Sequence, residues 1–284
     1  MKRLFFALPV LFVAVLAAAV PALPPQGAAA LSKYLSEATV RGDVPGVVVT
    51  VVNKDGMIYN EGFGKRSTLN NVPMGPDTIV NIASMTKAVT SAAIMILVDE
   101  GKLKLDDDVA KYLPKYKNPL VISKFNAADG SYETRPAKGP ITIRHLLTHT
   151  SGIGYGFSSR AVSVLSQKTM QSELDLPLLF DPGTSWAYGA STRVLGHVVE
   201  AISGQKIDAF LDARILKPLG MNDTGYSVPQ SKHSRVVAVN NRGNDGKFTE
   251  QRVAANVSSP VQGDGGLYST GSDYGLFIRM LLNR

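Results

Sequence analysis

The chain has 284 residues, of which 44% are hydrophobic and 19% are charged. This composition provides a sizeable apolar core and excludes a disordered or collagen-like chain. Cysteine is absent, so the chain can form no disulfide and no thiolate metal site. The formal net charge is +7, but the basic residues are scattered along the sequence, so we expect no nucleic-acid partner.

The N-terminus has the pattern of a signal peptide. A basic start, Lys2-Arg3, precedes the apolar run Leu4–Val20, which is followed by prolines. We predict that residues 1–22 are removed, although Ala28–Ala30 offers a second cleavage point. The alternative is an uncleaved anchor, but the run is short for a bilayer span and contains a proline. The expected location is therefore secreted or periplasmic, with no membrane span after cleavage.

A helix and a β-hairpin are the first elements predicted after this segment. Leu31–Val40 has apolar residues spaced for one helix face. The valine-rich Val44–Val52 and the following Met57–Phe63 flank an Asp55-Gly56 turn, a pattern that predicts two antiparallel strands. Ser84–Glu100 is the clearest helix, because an apolar stripe runs along it. Further helices are predicted at Asp107–Leu113, Ile141–Leu147, Thr192–Ile202, Ile207–Leu216 and Gly271–Leu282.

This order of elements, a hairpin followed by helices, predicts an α+β fold rather than an alternating parallel one. Polar and turn-forming residues predict long surface loops at Pro119–Pro140 and Val228–Gly265. A two-stranded hairpin is marginally stable by itself, so more strands are needed, and no strand pattern follows Ser269. We therefore expect residues 23–284 to form one domain whose C-terminal strands are missing from this chain.

Ser84 and Lys87 form a Ser-x-x-Lys motif at the start of the clearest helix. The spacing puts a hydroxyl and an amine on one helix face, where the amine can take the proton of an attacking serine. Lys87 acts as a base only in its neutral form, which a desolvated, cationic cleft would favour. The helix N-terminus would also stabilise the anion that forms during acyl transfer.

The motif by itself does not establish catalysis, because such matches occur by chance in chains of this size. Ser203-Gly204-Gln205-Lys206 has the same pattern, but a helix is predicted to end at Gly204, which separates its serine from its lysine. For Ser84 the plainer interpretation is a helix N-cap followed by a solvated lysine. Spacing alone leaves both interpretations open.

Five sequence blocks settle the matter in favour of a family resemblance. Within Val44–Arg284, they resemble, in order and spacing, the superfamily of penicillin-binding proteins and class C β-lactamases, which includes related carboxylesterases. The blocks are Ser84–Lys87, Gly101–Asp107, Ile141–Gly152, Pro182–Tyr188 and Gly265–Thr270.

The resemblance implies an antiparallel sheet flanked by helices on both faces, with a helical subdomain beside the active-site cleft. It implies Ser84 as the nucleophile, Lys87 as its partner, and Tyr188 as the phenol that relays protons between the serine and the leaving group. The implied activity is a serine hydrolase that forms a covalent acyl-serine on an ester or amide carbonyl, without cofactor or metal. The implied substrate is a small-molecule ester, a β-lactam or a peptidoglycan-like molecule.

Two departures from the family pattern bear on substrate and activity. Ala190 stands where the family's Tyr-x-Asn element has asparagine, so the amide that helps to bind a β-lactam or peptide is absent, which favours a carboxylesterase. The family's Lys-Thr-Gly or His/Trp-x-Gly strand does not follow Asp273–Gly275, and losing its oxyanion donor costs about 100-fold in rate. Full activity is therefore not expected of this truncated form. A β-lactamase, a D,D-carboxypeptidase and a non-catalytic envelope-binding protein of the same fold are the alternatives.

Four other patterns are better explained without a second activity. His145 and His149 stand one helical turn apart, but a metalloprotease glutamate and a third ligand are absent from the segment, so no metal site is predicted. Gly183–Ala187 lacks the last glycine of a nucleophile elbow. Gly263–Gly266 is predicted to form a tight turn beside the cleft rather than a dinucleotide loop. Asp106–Asp108 is expected to favour a helix N-terminus rather than to bind calcium.

Overall fold

The structure is a computed structural model, and it describes residues 22–251 and 256–283. Except for Ala22, the predicted signal peptide, residues 1–22, lies outside the described residues. Across the described ranges, every helix is too short or too polar to cross a bilayer.

The predicted hairpin is confirmed. Strand β1 (Gly46–Val52) pairs antiparallel with β2 (Met57–Ser67), and Val49 lies opposite Glu61. The turn between them forms because the Asn53 side chain accepts the backbone N–H groups of Asp55 and Gly56, each at 2.9 Å. A short strand, β3 (Val72–Pro73), pairs with the other edge of β2.

A helix covers each face of this sheet: α1 (Pro25–Val40) and α8 (Gly271–Leu282). Ser32 of α1 lies 2.9 Å from the hydroxyl of Tyr59 on β2. Helix α8 instead packs on Thr50 of β1. Thr50 lies opposite Asn60, the residue that follows Tyr59 on β2. Because alternate residues of a strand point to opposite faces, the two helices lie on opposite sides of the sheet. The expected α+β arrangement, with helices on both faces of an antiparallel sheet, is confirmed.

The second part of the molecule is mostly helical and holds the main apolar core. Its two central helices, α2 (Thr86–Asp99) and α5 (Ser191–Ser203), contribute fully buried side chains such as Ile94 and Leu195. Burial of such residues is the dominant favourable term in folding. The remaining helices are α3 (Ile143–Leu147), α4 (Arg160–Thr169), α6 (Ile207–Leu211), which continues as a π-helical segment (Asp212–Leu216), and α7 (Lys217–Leu219).

The predicted helix Asp107–Leu113 is wrong, because the segment forms only a short 3₁₀ turn, Val109–Lys111. Its acidic side chains accept backbone N–H groups, which in a longer helix would donate to backbone carbonyls instead. Asp107 accepts the N–H of Lys104 at 2.8 Å, and the next aspartate caps the 3₁₀ turn. Short polar side chains compete with helix formation in this way.

The predicted loops contain short hairpins. Pro119–Pro140 includes β5 (Leu120–Phe125) and β6 (Tyr132–Pro136), so its assignment as a loop is wrong over half of its length. Within Val228–Gly265, β7 (Asn240–Arg242) pairs with β8 (Phe248–Glu250). In both cases polar residues occupy solvent-facing strand positions, where propensity is a weak guide. Helix α4 was also not predicted, although Ser159 caps its first turn.

Two very short strands carry the chain from the sheet to the site. Strand β4 (Val80–Asn81) pairs with β9 (Tyr268–Ser269). Immediately after β4, the backbone N–H of Ile82 donates to the carbonyl of Leu267 at 2.8 Å. The start of α2 is thereby held against the glycine-rich turn that precedes β9.

Candidate active site

Ser84 lies in a single 3₁₀ turn, Ala83–Met85, that leads directly into α2. The residue before it, Ala83, has a φ of +44°, in the left-handed region that costs an ordinary residue roughly 1–2 kcal/mol. The backbone N–H of Ala83 donates to the side chain of Asn81 at 2.9 Å, which helps to hold this conformation. Ser84 itself is exposed, so its hydroxyl is open to a substrate.

Lys87 lies one helical turn further on, with its Nζ 3.2 Å from Ser84 Oγ. The same ammonium donates to the backbone carbonyl of Asp264 at 2.6 Å. Two fixed partners leave the amine little freedom to swing away from the serine, even though Lys87 is only half-buried.

Tyr188 completes this group, since Lys87 Nζ lies 4.9 Å from the centre of its ring. Burial by itself would raise the pKa of the Tyr188 phenol, but hydrogen bonds with Ser84 and Lys87, together with the charge of Lys87, outweigh it and leave the pKa lowered. A phenol that ionises more readily than usual is suited to accept and return a proton at the serine. The structure thus brings the three side chains named from the sequence within mutual reach.

His149 clasps the segment that carries Tyr188. The backbone N–H groups on either side of Tyr188 both donate to His149. The N–H of Ala187 donates to the His149 carbonyl at 3.0 Å, and the N–H of Gly189 donates to its Nδ1 at 3.4 Å. Its ring lies 4.9 Å from that of Tyr188, and its φ is +57°. Burial first, and then the charge of Lys87, lowers the pKa of His149, which favours the neutral ring that can accept.

The two histidines considered as a zinc pair have separate structural roles. His145 lies within α3, where its Nδ1 accepts the backbone N–H of Thr142 at 3.2 Å. His149 comes after the end of that helix and faces Tyr188. The two rings therefore do not share a helix face.

An aromatic wall surrounds Tyr188. The rings of Phe157 and Trp186 each lie 6.4 Å from it, and their exposed fractions are 79% and 63%. Tyr155 lies behind, at 5.6 Å. Sequence reasoning missed this wall, although the single tryptophan, two residues before Tyr188, was a possible signal.

The glycine-rich segment Gly263–Gly266 forms a tight turn beside the site, as predicted. Its one large side chain, Asp264, is 4% exposed. The Asp264 carboxylate accepts from the hydroxyl of Tyr155 and from Nε of Arg193, the latter at 3.0 Å. The sequence predicted the turn that holds Asp264 but not the contacts of its side chain with Tyr155 and Arg193, because no local pattern connects the three residues.

Ala190 occupies the N-cap position of α5 without a side-chain hydrogen bond, and it is fully buried in the apolar core. Ala190 therefore supplies no side-chain amide to the site. The second Ser-x-x-Lys pattern is separated as predicted, since Gly204 ends α5 with a φ of +70°. The ammonium of Lys206 lies 3.7 Å from Glu200.

Comparisons with known proteins agree with this geometry. The family model described as Beta-lactamase matches residues 29–284. An uncharacterized protein of Mycobacterium tuberculosis is 35% identical over 254 residues, which are 85% of this chain and 63% of that protein. Esterase EstB of Burkholderia gladioli is 34% identical over 214 residues, 70% of this chain and 51% of its own length. The solved LovD6 mutant of simvastatin synthase from Aspergillus terreus superposes with a TM-score of 0.83 at 28% identity, covering 92% of this chain and 68% of that one.

The fold and the site define an α+β protein with a Ser-x-x-Lys helix start that faces a tyrosine. This chain belongs to the Beta-lactamase family. It spans about half to two-thirds of the length of the curated relatives that it matches, 51% and 63% for the two named above.

Proposed function

We propose that the protein is a serine hydrolase of the carboxylesterase type, acting through an acyl group held covalently on Ser84. The observation that carries the proposal is the 3.2 Å separation between Lys87 Nζ and Ser84 Oγ, with the Tyr188 phenol beside both. A hydroxyl becomes an effective nucleophile only when a positioned base removes its proton.

The proposed reaction has two halves. In the first, the Ser84 proton passes to the Lys87–Tyr188 pair while Oγ forms a bond to the substrate carbonyl carbon. The tetrahedral intermediate then expels the alcohol, which takes up a proton from Tyr188. In the second half, water attacks the acyl-serine by the same proton route and releases the carboxylic acid. The backbone N–H of Ser84, at the positive end of α2, would donate to the oxyanion.

An ester is favoured over a β-lactam or a peptide by two features. Ala190 supplies no amide to hold an amide substrate, and the exposed rings of Phe157 and Trp186 offer apolar contact area. Relatives named as esterases support the same choice. If an alcohol replaced water in the second half, the site would transfer the acyl group, which is the activity named for other relatives.

The test is covalent labelling of the full-length protein. A fluorophosphonate should add one adduct to Ser84, located by peptide mass spectrometry. Ser84→Ala should abolish the adduct, whereas Ser203→Ala, the serine of the second motif, should leave it unchanged. A folded wild-type protein without an adduct on Ser84 would refute the proposal.

A comparison of p-nitrophenyl esters with nitrocefin separates the esterase from the β-lactamase alternative. Faster hydrolysis of the esters is expected.

Export is a separate proposal, and it rests on the sequence of residues 1–22. Intact-mass measurement of the protein recovered outside the cytoplasm should show that this segment has been removed. A mature protein that retains residue 1 would contradict it.

A further inference from the structure

We propose that Asp264, which is hydrogen-bonded to Tyr155 and Arg193, is the positioning residue that holds Lys87 against Ser84 and adjusts the charge around the reacting groups. This inference rests on the proposed acyl-serine chemistry. It concerns residues that the proposed reaction does not use.

The first argument is geometric. Lys87 Nζ donates to the Asp264 carbonyl at 2.6 Å, a shorter separation than its 3.2 Å to Ser84 Oγ. The position of that carbonyl therefore determines where the amine lies. A turn flanked by glycines is intrinsically flexible, so something else must fix it.

The Asp264 side chain contributes to that fixation, together with Thr90, whose hydroxyl donates to the carbonyl of Gly263 at 2.7 Å. Each carboxylate oxygen has its own donor: the hydroxyl of Tyr155 on one, and Nε of Arg193 at 3.0 Å on the other. Hydrogen bonds that involve a charged group are among the stronger ones in proteins. Tyr155 and Arg193 come from different segments, so the turn is anchored to two parts of the helical core.

Tyr155 also contacts Lys87 directly, since its ring centre lies 5.4 Å from Lys87 Nζ. The ring face attracts the ammonium, while the hydroxyl of the same residue binds the carboxylate. One side chain therefore ties the amine to the group that positions it.

The second argument is electrostatic. The Asp264 carboxylate brings a negative charge close to Tyr188, and this charge by itself raises the pKa of the phenol. Arg193 offsets this charge, and its own second partner is Glu173, at 3.9 Å. His149 and Tyr155 are further titratable groups that face Lys87 and Tyr188. Removal of the Asp264 charge removes this effect and leaves the positive charges in excess, so deprotonation of Tyr188 becomes easier.

The decisive variant is Asp264→Asn, which keeps the shape of the side chain and removes its charge. We expect kcat for a p-nitrophenyl ester to fall by about 10- to 100-fold with little change in KM, because alignment is lost while substrate contacts remain. The midpoint of the rising limb of kcat/KM against pH should move to lower pH. A merely structural role would reduce activity without that movement.

Asp273→Asn is the matched control. Asp273 is also a buried carboxylate, 7% exposed, but its hydrogen-bond partners are Thr224 and the backbone of Asp223 rather than Tyr155 and Arg193. The Asp273→Asn substitution should lower the stability of the protein and leave the pH midpoint of kcat/KM unchanged. If Asp264→Asn fails to fold, Tyr155→Phe decides, since it keeps the ring over Lys87 and deletes only the hydroxyl; a severalfold loss in kcat is expected.

The outcomes separate this inference from the proposed function. A folded Asp264→Asn protein with the kcat and pH midpoint of the wild type overturns the inference. If only Tyr155→Phe folds, a wild-type kcat in that variant overturns it. Fluorophosphonate labelling of the wild type is read in parallel. If Ser84 in the wild type takes no label, the acyl-serine proposal itself has failed. If Ser84 is labelled and the folded variants behave as wild type, only the proposed positioning role has failed.

Discussion

Gly189 is the position where a single methyl group should disable the site. It follows Tyr188, and its Cα lies against the backbone of another segment. A Cβ added there would stand 1.9 Å from the carbonyl oxygen of Ile153 and 2.8 Å from the Cα of Gly154. Both obstacles are backbone atoms, so neither can move aside by changing a rotamer.

The size of the effect follows from these distances. A Cβ essentially never lies within 3.0 Å of another heavy atom, so in Gly189→Ala the two segments must separate by at least about 1 Å. Overpacking of this kind destabilises a protein by about 1–3 kcal/mol. Tyr188, one residue away, is displaced with the segment, and a misplacement of about 1 Å in a catalytic group can lower the rate by about 100-fold.

The assay is kcat/KM on a p-nitrophenyl ester, measured beside a urea denaturation curve for each protein. Gly139→Ala is the control, because Gly139 is exposed and an added Cβ there meets nothing within 4 Å. Gly189→Ala should lose activity and stability, and the control should lose neither. Wild-type activity and stability in Gly189→Ala would refute the claimed close approach of the two segments.

Three further predictions address other contacts. Tyr116→Phe should stabilise the protein by about 1–3 kcal/mol in urea denaturation, because within the described residues the buried Tyr116 hydroxyl has no hydrogen-bond partner; destabilisation would reveal a partner. Asp181→Asn should be less stable than wild type at pH 7, because hydrogen bonds from Arg135 lower the pKa of Asp181 to about 2; the difference should shrink as pH falls from about 4 towards 2, and a constant difference would contradict the linkage. His149→Asn should retain more esterase activity than His149→Ala, because asparagine tolerates a positive φ and can accept from Gly189; equal losses would argue against the clasp.

Local sequence signals were sufficient for several elements. The β1–β2 hairpin followed from valine-rich strands around an Asp-Gly turn, and Gly271–Leu282 forms a helix with the predicted limits. The contact between Ser84 and Lys87 was also predictable, because residues three apart on a helix are neighbours. In each case the deciding interactions lie within a few residues along the chain.

Polar segments were predicted less well. In the β5–β6 hairpin, within Pro119–Pro140, turn-forming residues suggested a loop, yet cross-strand pairing made strands of them. Asp107–Leu113 had a helical pattern, but side-chain bonds to the backbone stopped the helix. A propensity is a small bias, and a specific partner elsewhere in the chain outweighs it.

The sequence by itself determined that a serine and an amine share the first turn of a helix, and the family resemblance added Tyr188. Only the tertiary structure decided what surrounds them: the clasp of His149 and the anchoring of Asp264 by Tyr155 and Arg193. These groups are far apart along the chain, and no periodicity connects them. The physical reason is that their contacts form only when the core packs α2 and α5 against the glycine-rich turn, and that packing is a property of the whole fold.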